Sequence, residues 1–444
     1  MTRYYSLLPD PRPLVANMAA TDIITPVTQV PTLIQRNTLR LAAAQCVGWV
    51  MTQTLATLGG IIASDMTSDR RWAGIPVTLS ILASALTGPY AGRMMDRVGR
   101  KPVLLAGQVA LGLGSLLVAA SIGYGIFPGY LAGIAILGVG AGATALSRSA
   151  AADMYPPSRR AQGISMVAMG GAVGAILGPF LLAAIVSWSK GAGADPNVTA
   201  WLVIPILAII AFFALLTIRP DPRDIAANLA DYYPSEGALG TKDEGRKTNS
   251  VRALSAILKQ YPVIVAIAAT ALVQAGMVML MVTVALSMKD HGHGDDVFEV
   301  MSVHFFGMLG LALLIGRVAD RLGRRPVIIM GALIFIAGAV SAPMFENPLY
   351  NGASLFLVGL GWSLCYVAGN AILADMAGPM ERGRTLGAND LLVGLTGATA
   401  SLVGGLLISG AGFLTVGAVG LALGLVPLLL ALRLREPQPG QYEF

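Results

Sequence analysis

Twelve long apolar stretches constrain this chain more than any other feature of its sequence. Each holds roughly the 20 mostly apolar residues that a helix needs to cross a bilayer. Barrel strands, by contrast, alternate in segments of about ten residues. Only 12% of the residues are charged and 55% are hydrophobic, which excludes a soluble globular protein. The sequence therefore predicts an all-α membrane protein with twelve transmembrane helices near residues 39–64, 74–95, 103–123, 126–150, 163–187, 200–218, 262–287, 298–316, 327–345, 351–375, 386–409 and 414–433.

The basic residues are distributed unevenly between the two sides of these helices. Of the 30 Lys and Arg residues, only Arg70, Arg71, Lys190 and Lys289 fall on one side. The positive-inside rule places the basic side in the cytoplasm. We therefore expect a multi-pass protein of the plasma (inner) membrane with both termini cytoplasmic. The net charge of +6 follows this topology and indicates no nucleic-acid partner.

Two short motifs recur at nearly the same offset. Residues 92–102 read Gly-Arg-Met-Met-Asp-Arg-Val-Gly-Arg-Lys-Pro, and 316–326 read Gly-Arg-Val-Ala-Asp-Arg-Leu-Gly-Arg-Arg-Pro, 224 residues later. Ala152-Asp153-Met154 returns after 222 residues as Ala374-Asp375-Met376. Two landmarks at one offset indicate duplicated six-helix halves.

The polar stretches divide the chain into five segments. We predict a cytoplasmic N-terminal segment at 1–38, a first six-helix bundle at 39–218 and a cytoplasmic linker at 219–261. A second six-helix bundle follows at 262–434, with a cytoplasmic tail at 435–444.

The repeated loop, Gly-x-x-x-Asp-Arg-x-Gly-Arg-(Lys/Arg), resembles a signature of the major facilitator superfamily of transporters. The resemblance covers essentially the whole chain. It implies two pseudo-symmetric bundles, alternating access by rocking of the halves, and a central cavity lined by spans 1, 4, 7 and 10. It also implies a monomer with a small-molecule substrate, the lipid bilayer and protons as partners, and no cofactor. Three scattered histidines supply no cluster at catalytic spacing, so we expect no enzyme, and the two histidines in the loop at 291–296 are expected to be solvated and to bind no metal.

The repeated loops suggest an inner gate. Asp96 is placed to meet the positive N-terminal end of the eleventh helix, and Arg100 is placed to pair with Asp153. The alternative is that these arginines only enforce topology. The gating residues would be Gly92, Asp96, Arg97, Gly99, Arg100, Asp153, Gly316, Asp320, Arg321, Gly323, Arg324 and Asp375.

The fifth span carries Gly174-x-x-x-Gly178-Pro179, which resembles the antiporter motif of proton-coupled drug exporters. Glycines four residues apart form a smooth strip, and Pro179 is expected to kink the helix. The chain departs from that subgroup because Leu182 and Ala183 replace a trailing glycine pair. It also lacks an arginine in the middle of the fourth span and an acid in the middle of the first.

Polar and aromatic residues recur at helical spacing on spans 1, 7 and 10. Such groups need either a water-filled cavity or hydrogen bonds between helices. We predict that the cavity is lined by Gln45, Trp49, Thr52, Gln53, Gln274, Trp362, Tyr366 and Asn370. Their weak charge suggests neutral or amphiphilic cargo. Met277, Met279 and Met281 in span 7 suit either a surface for varied ligands or ordinary packing.

His304 lies about two turns inside the eighth span and is a candidate for proton coupling. The alternative is a neutral histidine that ties two helices together. Taken together, these features predict a secondary transporter of small organic molecules that works by proton-coupled efflux. A metabolite importer or facilitator and a non-transporting receptor with the same fold remain as alternatives.

Overall fold

The chain folds as two bundles of membrane-crossing helices. The computed structural model describes residues 30–156, 159–234, 252–344, 347–377 and 381–435, and no strand occurs in these ranges. We call the face that carries residues 92–102 and 316–326 the basic face, and the other side the opposite face. The N-terminal half contains helices α1 (Thr32–Thr67), α2 (Ile75–Val98), α3 (Arg100–Gly123), α4 (Phe127–Ala145), α5 (Ser147–Asp153), α6 (Arg160–Gly191) and α7 (Pro196–Leu216).

The remaining helices belong to the linker and to the C-terminal half. The linker contains the short helices α8 (Pro222–Ala227), α9 (Leu229–Tyr232) and α10 (Leu254–Leu258). The C-terminal half contains α11 (Tyr261–Asp290), α12 (Val297–Phe305), α13 (Ala312–Leu322), α14 (Arg324–Ser341), α15 (Pro348–Met376), α16 (Arg382–Gly410) and α17 (Phe413–Arg433).

Within the described residues, eleven helices are long and apolar enough to cross a membrane. The eighth predicted span differs, because α12 and α13 are separated by a π-helical turn at Phe306–Gly310. Gly307 lies so close to α15 that an added Cβ would approach the carbonyl oxygen of Phe356 to 2.6 Å. The change of helical pitch in this turn coincides with the close approach to the neighbouring backbone. The two pieces together supply the twelfth crossing.

The limits of the predicted segments differ from the structure at two places. Helix α1 begins at Thr32, inside the predicted N-terminal segment, while residues 1–29 lie outside the described part. The predicted linker contains ordered helical turns at both ends, and residues 235–251 of it lie outside the described part, as do residues 436–444 of the predicted tail.

A glycine strip on α6 packs directly on α1. A Cβ at Gly170 or Gly174 would overlap the α1 backbone at Ala42 or Cys46, and one at Gly178 would lie 3.2 Å from Val50. Small residues let helix backbones approach this closely, so a side chain at these positions would push the helices apart. The predicted smooth face of the fifth span is therefore the surface that holds it against the first span.

The linker is fastened to both halves near the basic face. The Asp221 carboxylate accepts hydrogen bonds from the backbone N–H groups of Arg100 (3.0 Å) and Lys101 (2.9 Å), which are unsatisfied donors at the start of α3. At the far end of the linker, Arg252 binds the Glu381 carboxylate at 2.6 Å, and this hydrogen bond raises the pKa of Arg252. Each end of the linker is thus held by a charged hydrogen bond.

Candidate functional site

A cavity of about 390 Å³ lies between the two halves at mid-depth. Five of the eight predicted cavity residues line it, namely Trp49, Thr52, Gln53, Gln274 and Trp362. Residues from α1, α2 and α4 form the wall on the N-terminal side, and residues from α11, α12, α15 and α16 form the wall on the other side. A cavity built by both halves changes shape whenever one half moves against the other.

Tyr366 and Asn370 support the cavity wall from the next turns of α15. The Tyr366 ring stacks on Trp362 with centroids 4.7 Å apart and planes at 15°. The Trp362 Nε1–H donates to Gln274 Oε1 at 2.6 Å, which fixes the indole. Asn370 donates to the Tyr366 carbonyl at 2.9 Å. The result is a rigid aromatic platform on the C-terminal side of the cavity.

The polar residues of α1 serve the cavity and the helix packing together. Gln53 lines the cavity and donates to the Ala175 carbonyl of α6 at 3.2 Å. Thr52 also lines the cavity, while its hydroxyl donates to the Gly48 carbonyl at 2.9 Å. Gln45, by contrast, is buried and lies outside the cavity lining. Both interpretations of the polar face of α1 therefore apply. Thr52 and Gln53 line the cavity, and Gln53 also forms a hydrogen bond to a neighbouring helix.

The methionines of α11 divide between the two roles that the sequence left open. Met277 and Met281, one turn apart, line the cavity. Met279 is 1% exposed and packs against Gly404 of α16. The cavity therefore contains two flexible, polarisable side chains opposite the polar residues of α1.

Two charged residues near the cavity were missing from the predicted lining. Asp390 of α16 lines the cavity and is exposed, about 12 Å along the helix axis from the basic end of α16. Arg148 of α5 is exposed and close enough to attract the Asp390 carboxylate across the gap between the halves. The signal was present in the sequence, because Asp390 is a carboxylate within a predicted span.

Charged pairs join the halves at the opposite face. Arg70 binds Asp290 at 2.9 Å. Lys289 binds Asp65, and Lys190 binds Asp295. Beneath them, Thr78 of α2 donates to the Ala398 carbonyl of α16 at 2.8 Å, and Ser401 donates to the Gly74 carbonyl at 2.9 Å. These contacts hold the halves together between the cavity and the opposite face.

At the basic face, the predicted gating residues of the N-terminal half contact one another. Arg100 binds Asp153 at 2.8 Å and Asp96 at 2.6 Å. The Asp96 side chain is 69% exposed and binds Arg100, so in this conformation it does not sit at the start of α16 as the sequence suggested. Gly99 has φ of +100°, and a Cβ there would lie 2.8 Å from the Asp221 carboxylate. Glycine is therefore required both by the turn and by its neighbour.

The C-terminal half repeats part of this arrangement. Arg324 binds Asp375 at 3.3 Å, and Gly323 has φ of +91°. The side chain of Asp320 lies outside the described part. Arg97 and Arg321 are exposed, and the space around Gly92 and Gly316 is open. The two basic turns thus share a backbone conformation and one arginine–aspartate pair.

His304 lies away from the cavity. It is fully buried, and its Nδ1 donates to the Leu355 carbonyl of α15 at 2.7 Å. Phe305 and Met308, its neighbours on the same span, line the cavity instead. This contact fits the interpretation in which a neutral histidine ties the eighth span to the tenth. No cluster of three His, Cys, Asp or Glu side chains suited to a metal ion occurs among the described residues.

Comparison with known proteins places these features in one family. A family model described as Major Facilitator Superfamily matches residues 41–299 and 266–443. The chain is 28% identical over 408 residues to an uncharacterised transporter of Bacillus subtilis, YdeG, covering 90% of this chain and 92% of that protein. It is 28% identical over 413 residues to a riboflavin transporter of Brucella anthropi, RfnT, covering 90% of this chain and 97% of that protein.

A solved structure shares the fold. The xylose transporter XylE of Escherichia coli, in a partially occluded inward open conformation, superposes with a TM-score of 0.67 at 16% sequence identity. The match covers 90% of this chain and 98% of that one. At this identity the likeness concerns the fold alone, and it confirms the predicted arrangement of two helical bundles.

Proposed function

Because the chain belongs to the major facilitator superfamily, whose members are transporters rather than enzymes, we propose that it exports small organic molecules in exchange for protons. The observation that carries the proposal is the cavity at mid-depth, which both halves line and which the cross-half ion pairs separate from the opposite face. Alternating access needs such a site between two moving bodies.

The basic face is proposed to be cytoplasmic, with both termini on that side. The uneven distribution of Lys and Arg supports this orientation. Cargo would then enter from the cytoplasm and leave when the ion pairs at the opposite face separate. The exposed Asp390 and Arg148 lie where such cargo would enter.

The cavity chemistry suggests a planar aromatic or amphiphilic cargo. The platform of Trp362 and Tyr366 offers a face for stacking, and Met277 and Met281 adapt to varied apolar shapes. Gln53 and Thr52 supply amide and hydroxyl groups on the facing wall. An amide and a hydroxyl group bind the hydrogen-bonding edge of a flat ring system better than they bind a small, strongly charged ion.

Two groups are candidates for carrying the coupling proton. His304, which the sequence suggested, is buried against Leu355 and does not line the cavity. Asp390 is a carboxylate that lines the membrane-embedded cavity, and Arg148 of the other half is close enough to attract it. We propose Asp390 as the stronger candidate, since cargo and proton would compete directly beside Arg148.

Closing the basic face would complete the gate that the repeated loops form. In the present conformation the Asp96 carboxylate is exposed and paired with Arg100. Rocking of the halves would bring it toward the N-terminal end of α16, whose partial positive charge attracts a carboxylate. Asp96→Asn should then favour the conformation in which the basic face is open, and unchanged accessibility of the cavity would refute this part of the proposal.

Transport into everted membrane vesicles tests the function, because the basic face then points outward. Ethidium, a planar amphiphile, should accumulate when the lumen is acidic, and a protonophore should abolish this accumulation. Asp390→Asn should remove the dependence on the pH gradient, whereas His304→Asn, which keeps a donor for Leu355, should preserve it. The opposite result for the two variants would assign coupling to His304, and absence of flux for every solute would favour a receptor.

Uptake of a flavin-like metabolite is the second candidate. The riboflavin transporter of Brucella anthropi matches over 97% of its own length, and the stacked pair of Trp362 and Tyr366 suits an isoalloxazine ring. Right-side-out vesicles loaded with buffer alone distinguish the two directions. Concentrative uptake of riboflavin there, without ethidium accumulation in everted vesicles, would replace export with import.

A further inference from the structure

A second apolar cavity lies on the outside of the N-terminal half and shares no residue with the central one. It is a groove of about 540 Å³ between α2 and α3, with α4 as its floor. Val139 and Ala143 of α4 face this groove, whereas Ala141, on the other side of the same helix, faces the central cavity. The groove therefore opens away from the transport pathway, toward the surrounding membrane.

The wall that α2 contributes carries exposed apolar side chains and, at one end, two arginines. Tyr90, Met94 and Val98 are each more than half exposed. Arg93 and Arg97 are exposed one helical turn apart, and the Arg93 guanidinium lies 4.8 Å above the Tyr90 ring. Neither guanidinium has a carboxylate partner in the part of the chain that the structure describes.

The position of these arginines matches the depth of lipid phosphates. Arg97 is the second-last residue of α2 and Arg93 lies one turn earlier, so both fall within about 8 Å of the helix end at the basic face. Tyrosine rings concentrate at the same level of the bilayer, between the hydrocarbon and the head groups. Two unpaired cations at this depth above an apolar groove complement a molecule with an anionic head and an acyl chain.

We propose that the groove binds one anionic phospholipid of the leaflet at the basic face. An acyl chain lies along Val103, Ala106 and Ala110 of α3, and the phosphate accepts hydrogen bonds from Arg93 and Arg97. The lipid contacts α2 next to Asp96, so its occupancy is coupled to the position of the helix that ends in the basic turn. The site does not depend on the identity of the cargo.

The pseudo-symmetric half supplies a matched control. Arg317 and Arg321 stand 224 residues after Arg93 and Arg97 and are exposed, but Leu314 replaces Tyr90. Native mass spectrometry of the detergent-purified protein, titrated with phosphatidylglycerol, should show a tightly bound lipid in the wild type. Arg93→Ala with Arg97→Ala should weaken this binding about thirtyfold, because each basic residue near an anionic lipid surface adds to the attraction. Arg317→Ala with Arg321→Ala should leave it within twofold.

A second variant separates the groove from general surface charge. Ala106 is exposed in the groove, so Ala106→Phe fills the space without disturbing the buried core. It should displace the lipid although both arginines remain. Equal binding of phosphatidylglycerol by the wild type, the Arg93/Arg97 variant and Ala106→Phe would overturn the proposal. So would equal binding of phosphatidylcholine, or release of the lipid by inorganic phosphate at millimolar concentration.

Discussion

At the opposite face the ion pairs join the two halves, whereas at the basic face Arg100 and Arg324 bind carboxylates of their own half. In the proposed rocking motion, pairs within a half survive, whereas pairs between the halves must break in each cycle. The cross-half pairs accordingly lie in exposed positions, where each contributes about 0.2–1 kcal/mol. The charges of the two faces thus have different roles. The pairs of the basic face stabilise each half, and the pairs of the opposite face hold the two halves together on that side.

Removing Arg100 should have the largest effect, and it should act on stability. The Arg100 side chain is 16% exposed and its partner Asp153 is 26% exposed. Arg100→Ala leaves Asp153 partly desolvated without its partner, which should lower the free energy of unfolding by about 2 kcal/mol after allowance for solvent screening. The measurement is the thermal unfolding midpoint of the purified protein in detergent.

Arg160→Ala is the control for this variant, because Arg160 is an exposed arginine on the same face. Its unfolding midpoint should match that of the wild type. Equal midpoints for Arg100→Ala and Arg160→Ala would mean that the pairs of the basic face contribute as little as ordinary surface charges, and the contrast between the two faces would disappear.

Neutralising the opposite face should act on conformation rather than on stability. Asp65→Asn, Asp290→Asn and Asp295→Asn together remove three weak attractions, worth about 1.5 kcal/mol in sum, and shift the balance toward an open opposite face about tenfold. Ser401→Cys, in a background without Cys46 and Cys365, reports this shift as faster labelling by an impermeant maleimide, since Ser401 is buried here.

Glu299→Gln removes another exposed carboxylate from the opposite face and serves as the matched control. It should leave the labelling rate unchanged. If the triple variant labels Ser401→Cys no faster than this control, then the hydrogen bond from Thr78 to the Ala398 carbonyl, and not the ion pairs, holds that face closed.

Ionic strength should weaken the ion pairs of the opposite face without any substitution of the charged residues. Raising salt from 0.01 M to 1 M shortens the screening length from about 30 Å to about 3 Å. Labelling of Ser401→Cys should then rise about threefold, because exposed pairs are screened most. The triple variant, which lacks these pairs, should show no further rise. A similar rise in both proteins would show that salt acts elsewhere.

How well the sequence predicts a structural feature depends on how far apart in the sequence the interacting residues are. Continuous apolar runs specify the spans, because a bilayer requires a helix of a certain length. The break at Phe306–Gly310 was not predictable from local spacing, because it coincides with a contact to another span, where Gly307 approaches Phe356. Helical spacing predicted Trp49 and Gln53 on one face, because these contacts are local to α1.

Contacts between the halves are the part that the sequence does not specify. Asp65 and Lys289 are 224 residues apart, and either could pair with several oppositely charged neighbours in the same loops. Arg148 and Asp390 belong to different halves, so their attraction depends on how the bundles dock. The repeat predicted that Arg100 and Arg324 occupy equivalent positions, but not how strongly each binds its aspartate.

That last difference gives the sharpest test of the symmetry within the basic face. Arg100 meets Asp153 at 2.8 Å, while Arg324 meets Asp375 at 3.3 Å and the Asp375 side chain is 45% exposed. Asp153→Asn should lower the free energy of unfolding by about 1 kcal/mol, and Asp375→Asn by about 0.3 kcal/mol or less, since an exposed pair contributes little. Unfolding midpoints of the two variants, compared with the double variant, measure the difference. Equal losses would mean that the repeated arginine–aspartate pairs are equivalent in energy as well as in position, and the tighter geometry of the N-terminal pair would then have no consequence for stability.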